Sequence, residues 1–409
     1  MQKPEIRSAA PIAMGRPRPH PRRRPMEPPA PFRFGPGIYL AQTQPGFEAI
    51  AWGEIAARYA GARVHELARR VVPDRVGMTI FSAARPDPLK LLRTAEDIFA
   101  VVGYRRYPAM VAAAAGAAPG ATTKIATETL ARVQRTARDA RYIDEAIAAR
   151  VGFVPGSRGG RRIRFRVVAR MAGDHPFRRV DFQHAVERGI AERGDRTWRL
   201  SEEEADVEVW ATMFPGETIL ALRLSDERMR VRGYKVAHLP GSLRPSVAAA
   251  LAWLSEPAPE DVMLDPMCGA GTVLIERAHL GRYAALIGGD RDATALAAAR
   301  ENVGPRYKPI ELHSWEATAL ALGDASVSKI VTNLPWGMRH GSHADNRRLY
   351  PQLLGEFRRV LKKGGRLVML TAETRLMSDL MRRRLFRAER IYTVSILGAP
   401  AAIFIVRAE

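Results

Sequence analysis

From about residue 243 to residue 409 the sequence carries the strand–helix rhythm of a parallel sheet, and this constrains the fold more than anything else in the chain. Short apolar runs at 262–264, 284–288, 310–312, 330–332 and 366–371 read as strands. Two more runs, 391–395 and 402–406, are close enough in sequence to pair antiparallel at one edge. The expected fold class is α/β: a doubly wound, Rossmann-like domain over 245–409 with an antiparallel edge strand.

The first of these strands leads into Asp265-Pro266-Met267-Cys268-Gly269-Ala270-Gly271-Thr272, followed by the apolar start of a helix. The turn at a strand's carboxyl end is where an open α/β sheet binds its ligand. Gly269 and Gly271 let the backbone approach that ligand without a Cβ in the way. The next strand ends in Gly288-Gly289-Asp290, an acid placed to accept from the two hydroxyls of a ribose. A nicotinamide-binding turn is the obvious rival, and two details decide against it. The third glycine of that pattern is Leu274, and Asp265 places a carboxylate where a cationic ligand is welcome. S-adenosylmethionine carries an ammonium and a sulfonium and has no phosphate. The candidate cofactor residues are Asp265, Met267, Gly269, Ala270, Gly271, Thr272, Asp290 and the adjoining Arg291. Glu316 and Ala317, just past the third strand, stand where an adenine ring is expected, although Glu316 taken alone reads as an ordinary solvated glutamate.

The fourth strand runs into Asn333-Leu334-Pro335-Trp336-Gly337. An exocyclic amino group on a base is a poor nucleophile, because its lone pair is delocalised into the ring. Accepting its hydrogens with the Asn333 side-chain oxygen and the Leu334 carbonyl would draw that lone pair toward a methyl donor. Pro335 removes a competing N–H and fixes the backbone. Trp336 offers a face for the base to stack on. Asn333, Leu334, Pro335 and Trp336 are the candidate catalytic residues, and Asn333 also borders the cofactor. Read without its context, this segment could equally be a turn-capping Asn beside a core Trp.

The front half differs in character. Lys and Arg outnumber Asp and Glu 64 to 43, a net charge of +21, which favours a polyanion: nucleic acid or an anionic membrane surface. A GC-rich genome's use of arginine would produce the same excess. No apolar run approaches the ~20 residues of a membrane span. The single cysteine, Cys268, forbids an internal disulfide and a multi-cysteine zinc site, so no metal is expected. Residues 1–36 are Pro- and Arg-rich and read as a disordered basic tail, or as the product of a start assigned upstream of Met14 or Met26. Two α+β units follow, at 37–122 and 123–226, with a linker at 227–244. In the first, strands are expected at 38–41 and 75–81, helices from Gly46 and over 88–101, and a linker or cap in the Ala-rich run 112–121. In the second, one helix is expected over 123–150 and another over 179–193, with strands at 205–211 and 218–224. Strict alternation over 162–168 puts Arg162, Arg164 and Arg166 on one strand face, and 146–173 holds seven arginines and no acid. With Arg161, His175, Arg178 and Arg179 these are the candidate RNA contacts, the alternative for each being a solvated basic face.

Together, residues 265–272, Asp290, Glu316-Ala317 and 333–337 resemble the motifs of class I methyltransferases acting on exocyclic amino groups. The front half is similar to the ferredoxin-like plus THUMP pair of RNA-modifying enzymes, on residues 37–48, 164–177 and Arg232-Gly-Tyr-Lys-Val-Ala-His. The resemblance spans roughly 37–409 and is greatest to the tRNA guanine-N2 methyltransferases of the acceptor stem. It implies S-adenosylmethionine as cofactor, a methyl placed on a guanine's exocyclic nitrogen at tRNA position 6, and a THUMP unit holding the tRNA 3′ end. A cytoplasmic, monomeric enzyme without metal or membrane is the corresponding expectation. Two positions depart from the family: Glu316 stands where Asp is usual, and Trp336 where Phe or Tyr is usual. A ribosomal RNA guanine-N2 methyltransferase, a DNA amino methyltransferase and a non-catalytic RNA-binding module are the alternatives.

Overall fold

The computed structural model describes residues 34–59, 61–67, 76–107, 119–157, 159–307, 309–337, 342–382 and 386–409. Nearly all of the expected basic tail and most of the Ala-rich run therefore lie outside the described residues. Among the described residues no helix is long and apolar enough to cross a membrane.

The front half is built on one sheet. Its strands are β1 (Ile38–Thr43), β2 (Arg63–Leu67), β3 (Gly77–Ser82), β4 (Asp97–Arg106), β5 (Arg162–Met171), β6 (Thr197–Leu200), β7 (Val207–Phe214) and β8 (Glu217–Arg223), in the order β2-β3-β1-β4-β8-β7-β5-β6. Antiparallel pairing of β4 with β8 joins the segments 37–122 and 123–226 into this single sheet. The helices are α1 (Glu48–Arg58), α2 (Pro119–Arg138), α3 (Ile143–Phe153) and α4 (Arg179–Ala191). Ile55, Val133, Ile147, Phe182 and Val186 from these helices pack with Ile98, Phe165, Val167 and Leu222 of the sheet in one core.

Two expectations fail here. The helix over 88–101 is a 3-10 turn at Asp87–Leu91 followed by β4. Ile98 and Val102 enter the core under the helices, whereas Phe99 and Val101 join the apolar cluster on the other face. A strand buried on both faces shows no alternation, so periodicity cannot separate it from a helix. The single helix over 123–150 is two, α2 and α3, broken at 139–142. The short strands β2 and β6 have no counterpart in the sequence reading, and both lie at the sheet's edges.

The second sheet holds β9 (Val262–Asp265), β10 (Ala285–Asp290), β11 (Ile310–Ser314), β12 (Val327–Asn333), β13 (Leu361–Thr371), β14 (Arg387–Ile396) and β15 (Ala399–Arg407). The order is β11-β10-β9-β12-β13-β15-β14, with β15 antiparallel to both neighbours, so all seven expected strands form and the antiparallel edge is where it was expected. The accompanying helices are α5 (Pro245–Leu254), α6 (Thr272–His279), α7 (Ala293–Val303), α8 (His343–Val360) and α9 (Thr374–Met381).

Several contacts fasten the front unit to the domain built on this sheet, two of them beside α5 and β14. Phe47 and Ile50 are buried in the same cluster as Val247 and Leu251 of α5. Beside them, Ser395 of the edge strand β14 donates its N–H to the Pro45 carbonyl at 2.9 Å. Gly46 makes this approach possible: its φ is +90°, and a Cβ there would lie 2.4 Å from the Thr393 carbonyl oxygen. Gly46→Ala should cost about 1–3 kcal/mol in backbone conformation alone, before the clash is counted. A thermal melt of the variant that matches the wild type would show that this contact does not hold the units together.

Candidate active site

The loop between β9 and α6 is shaped by its glycines, Gly269 at φ +52° and Gly271 at φ +76°. The Cys268 N–H reaches the Gly289 carbonyl at 2.8 Å, and the Gly269 N–H donates to the Asp290 carboxylate at 3.0 Å. The other Asp290 oxygen accepts from the Asp292 N–H at 3.1 Å, so the carboxylate is fixed in place with lone pairs to spare. Ala270 and Thr272 are buried, and Met267 packs against the core beneath the loop. The Cys268 thiol is buried, and that burial holds its pKa well above the ordinary value, so it stays protonated and inert.

Asp265 is the unusual member. It is 1% exposed, and its Oδ1 has no hydrogen-bond partner. Burial pushes its pKa up to about 7, with the Asp290 charge adding to the rise. Thr332 and the Met267 N–H bond this carboxyl, but a buried oxygen still left without a partner is costly unless a ligand supplies one. A cation with N–H donors, such as an α-ammonium, meets that need.

Arg291 and Glu316 face each other across the mouth as a loose, exposed pair at 4.0 Å, and Ala317 is buried beside them. Trp315, which the sequence reading passed over, closes the floor: its indole N–H donates to the Pro266 carbonyl at 3.2 Å, and its ring stacks on His313. A Cβ at Gly289 would fall 1.9 Å from the Trp315 Nε1, so the second glycine of Gly288-Gly289 exists to admit this ring. An aromatic residue one strand away from a glycine pair was the available signal.

The acceptor motif lies alongside. Pairing of Leu264 with Ile330 sets Asp265 level with Val331, and Asn333 projects two residues further along β12. The Asn333 side-chain oxygen accepts the Trp336 indole N–H at 3.1 Å. An indole nitrogen can only donate, so this bond fixes which end of the Asn333 amide is oxygen and leaves that oxygen one more lone pair. Trp in place of Phe or Tyr thus adds a hydrogen bond that neither of those rings could make to Asn333 in the same way. The Leu334 N–H is tied to the Leu370 carbonyl at 2.9 Å. The Pro335 carbonyl accepts from Tyr350 at 2.6 Å and from Asn346 at 3.1 Å. Asn346 also donates to Glu373 at 3.1 Å, Glu373 pairs with His343 at 2.6 Å, and Tyr350 meets the Thr371 hydroxyl at 2.7 Å. Gly337, at φ +69°, would place a Cβ 2.9 Å from the Glu373 carboxylate. These positioning residues were missed in sequence, although Asn346 and Tyr350 are four apart on one helix face.

The basic strand face forms as expected, but its charges are partly matched. Arg164 pairs with Asp206 at 3.1 Å and also with Glu204, and Arg166 pairs with Glu208 at 2.7 Å. Those acids come from 204–208, across the sheet from the acid-free stretch. Arg161 and Arg162 are exposed. Arg178 precedes α4 and pairs with Asp181, which also accepts its backbone N–H, Arg179 donates to Gln183, and His175 stacks on Phe177 while bonding the Ala172 carbonyl.

Residues 232–399 match the family described as UPF0020, RMKL-like, methyltransferase domain. The match begins at Arg232, in the stretch expected to be a linker, and the structure shows why. Val236 and Ala237 donate their N–H groups to Asn302, which in turn donates to the Ala270 carbonyl of the glycine loop. Among curated proteins the chain is 32% identical over 262 residues to tRNA (guanine(6)-N(2))-methyltransferase THUMP3 of Mus musculus, covering 60% of this chain and 51% of that protein. It is 25% identical over 277 residues to tRNA (guanine(6)-N2)-methyltransferase of Methanocaldococcus jannaschii, covering 57% of this chain and 73% of that one. The chain thus spans about half the length of the mammalian relatives it matches. Among solved structures, TrmN from Thermus thermophilus superposes with a TM-score of 0.68 at 23% identity, over 91% of this chain and 100% of that one. That likeness is one of fold, and it takes in the front sheet as well as the second one.

Proposed function

We propose that the chain is an S-adenosylmethionine-dependent tRNA guanine-N2 methyltransferase that makes N2-methylguanosine at position 6 of the acceptor stem. The observation that carries this reading is the juxtaposition on adjacent strands of a buried carboxylate with one oxygen left unpartnered, Asp265, and a motif with an oriented Asn333. When bound, S-adenosylmethionine supplies an activated methyl group. Asp265 holds its ammonium, Asp290 accepts from its ribose hydroxyls, and Glu316 and Ala317 border its adenine. The free lone pair of the Asn333 oxygen and the Leu334 carbonyl accept the guanine's amino hydrogens, and Trp336 stacks on the base. Tyr350 and Asn346 keep the loop from shifting by holding the Pro335 carbonyl. Arg161, Arg162 and the remaining basic face take the RNA backbone, with the front unit gripping the tRNA 3′ end. The enzyme acts in the cytoplasm as a monomer, without metal or membrane.

Relatives carrying the tRNA (guanine(6)-N2)-methyltransferase name support the choice of tRNA over ribosomal RNA. Incubating the full chain with labelled donor and unmodified tRNA, then digesting to nucleosides, should place the label in N2-methylguanosine. Label in any other nucleoside, or in ribosomal RNA alone, would refute the assignment.

The raised Asp265 pKa gives a pH signature. Below about 7 the free protein holds this carboxyl protonated, and an ammonium binds only the ionised form. Donor affinity should therefore rise about tenfold per pH unit up to near 7 and level off above it. Asp265→Asn should bind weakly at every pH. A flat calorimetric profile for the wild type between pH about 5.5 and 8.5 would remove Asp265 from the donor site.

A further inference from the structure

The hairpin joining β14 and β15 is unusual at its tip. Ile396 pairs with Ala399, so the turn is the two residues Leu397 and Gly398, both with positive φ, +52° and +85°. Two-residue turns of this kind favour Asn-Gly or Asp-Gly, because a branched aliphatic residue is strained there. Leu397 is also 70% exposed. An aliphatic side chain held in a disfavoured backbone conformation and in water is unfavourable on both counts, and such positions cluster at functional sites.

The tip rises at the same end of the sheet as the acceptor site, two to three strands to its side. Asn333 pairs with Leu370, and Leu370 with Ile403. The hairpin continues from Ile403 to Ala399 in the direction of the strands' carboxyl ends, so its tip rises four residues beyond the level of Asn333. At the strand rise this is roughly 13 Å. Its base is immobilised from two sides. Ser395 is bonded to Pro45 of the front unit, Gly46 lies against Thr393, and Ile396 packs on the same apolar cluster as Trp336. The hairpin is therefore the edge of the second sheet that is tied to the front unit.

The amino group of a stem guanine is engaged in its base pair, and methylation of that atom requires the base to leave the stack. Proteins that open a duplex insert apolar side chains between base steps. The wide, shallow minor groove of an RNA stem exposes the guanine amino edge to such an element. We propose that Leu397 is a wedge that enters the RNA stem beside the target guanosine and keeps the gap open while the extruded base lies on Trp336. The inference rests on the reading above that the substrate is a paired guanosine in RNA.

The test is Leu397→Asn, a substitution that suits the turn and so removes the apolar tip without threatening the fold. Single-turnover methyl transfer is measured on two acceptor-stem RNAs, one with the target guanosine paired to cytidine and one with an abasic site opposite it. The ratio of the unpaired to the paired rate should rise by about tenfold or more in Leu397→Asn relative to wild type, since the lost wedge affects only the opening step. Leu397→Met, which keeps an apolar tip, should restore the wild-type ratio. With 2-aminopurine stacked next to the target, wild-type binding should brighten its fluorescence and Leu397→Asn should not. An unchanged ratio in Leu397→Asn would overturn the wedge alone. A wild-type chain that methylates guanosine in neither RNA would overturn the functional reading and the wedge with it.

Discussion

Replacing Asn333 with alanine should slow methyl transfer by about a hundredfold or more while leaving tRNA affinity nearly unchanged. In the proposed reaction the side-chain oxygen strengthens its hold on the amino hydrogens as the nitrogen becomes tetrahedral, so its loss falls on the transition state and not on capture of the RNA. Trp336→Phe separates the two duties of that ring. It keeps a stacking face but removes the N–H that orients the Asn333 amide, and one such neutral bond corresponds to about three- to tenfold in turnover. Trp336→Ala adds the loss of stacking, roughly 1–3 kcal/mol, and should weaken RNA capture as well. Single-turnover rates, with donor and tRNA binding measured separately, distinguish these outcomes. Near-normal turnover in Asn333→Ala would mean that the amino group is activated by other residues.

The second large effect is structural. Glu276 sits on α6, the helix that follows the glycine loop, and its carboxylate is fully buried. It accepts two bonds from Arg93 of the front unit, at 2.6 and 3.0 Å, and one from Tyr234 at 2.7 Å, with Arg232 3.9 Å away. Burial first, and then the neighbouring Glu276 charge, raise the Tyr234 pKa far above its ordinary value, so the phenol keeps its proton and donates. Glu276→Ala leaves the buried Tyr234 hydroxyl and the largely buried Arg93 guanidinium without their partner, which costs about 3–5 kcal/mol. Glu276→Gln should cost less, because the amide oxygen still accepts. A loss below about 1 kcal/mol in Glu276→Ala, read by denaturant unfolding, would show that the front unit is held by its apolar contacts alone. The same network bears on dissection of the chain. Cutting at residue 245 removes Arg93, Arg232 and Tyr234 together and uncovers the face on which Phe47 and Ile50 pack.

The second sheet was legible in the sequence because strands buried under helices appear as short, nearly unbroken apolar runs, and all seven are present. Asp265, Asn333 and the glycine loop were legible for a related reason: they sit at strand ends, where position along the chain fixes position in the fold. Contacts between distant segments were not legible. The acids that meet Arg164 and Arg166 come from 204–208, and no local pattern announces a partner across a sheet. The bond from Trp336 to Asn333 depends on side-chain geometry within a turn, and the Tyr350–Asn346–Glu373 support depends on how α8 packs against β13. The first half of β4, residues 97–101, was misread as part of a helix over 88–101 because it is buried on both faces and so carries no period of two. The break between α2 and α3 was missed because no proline or glycine marks it.

Inosine differs from guanosine only in lacking the exocyclic amino group. Methyl transfer to a tRNA carrying inosine at position 6, compared with the same tRNA carrying guanosine there, therefore bears most directly on the proposed chemistry. The guanosine tRNA should accept one methyl group, recovered as N2-methylguanosine, and the inosine tRNA should accept none. Equal labelling of the two tRNAs would contradict the proposed target atom.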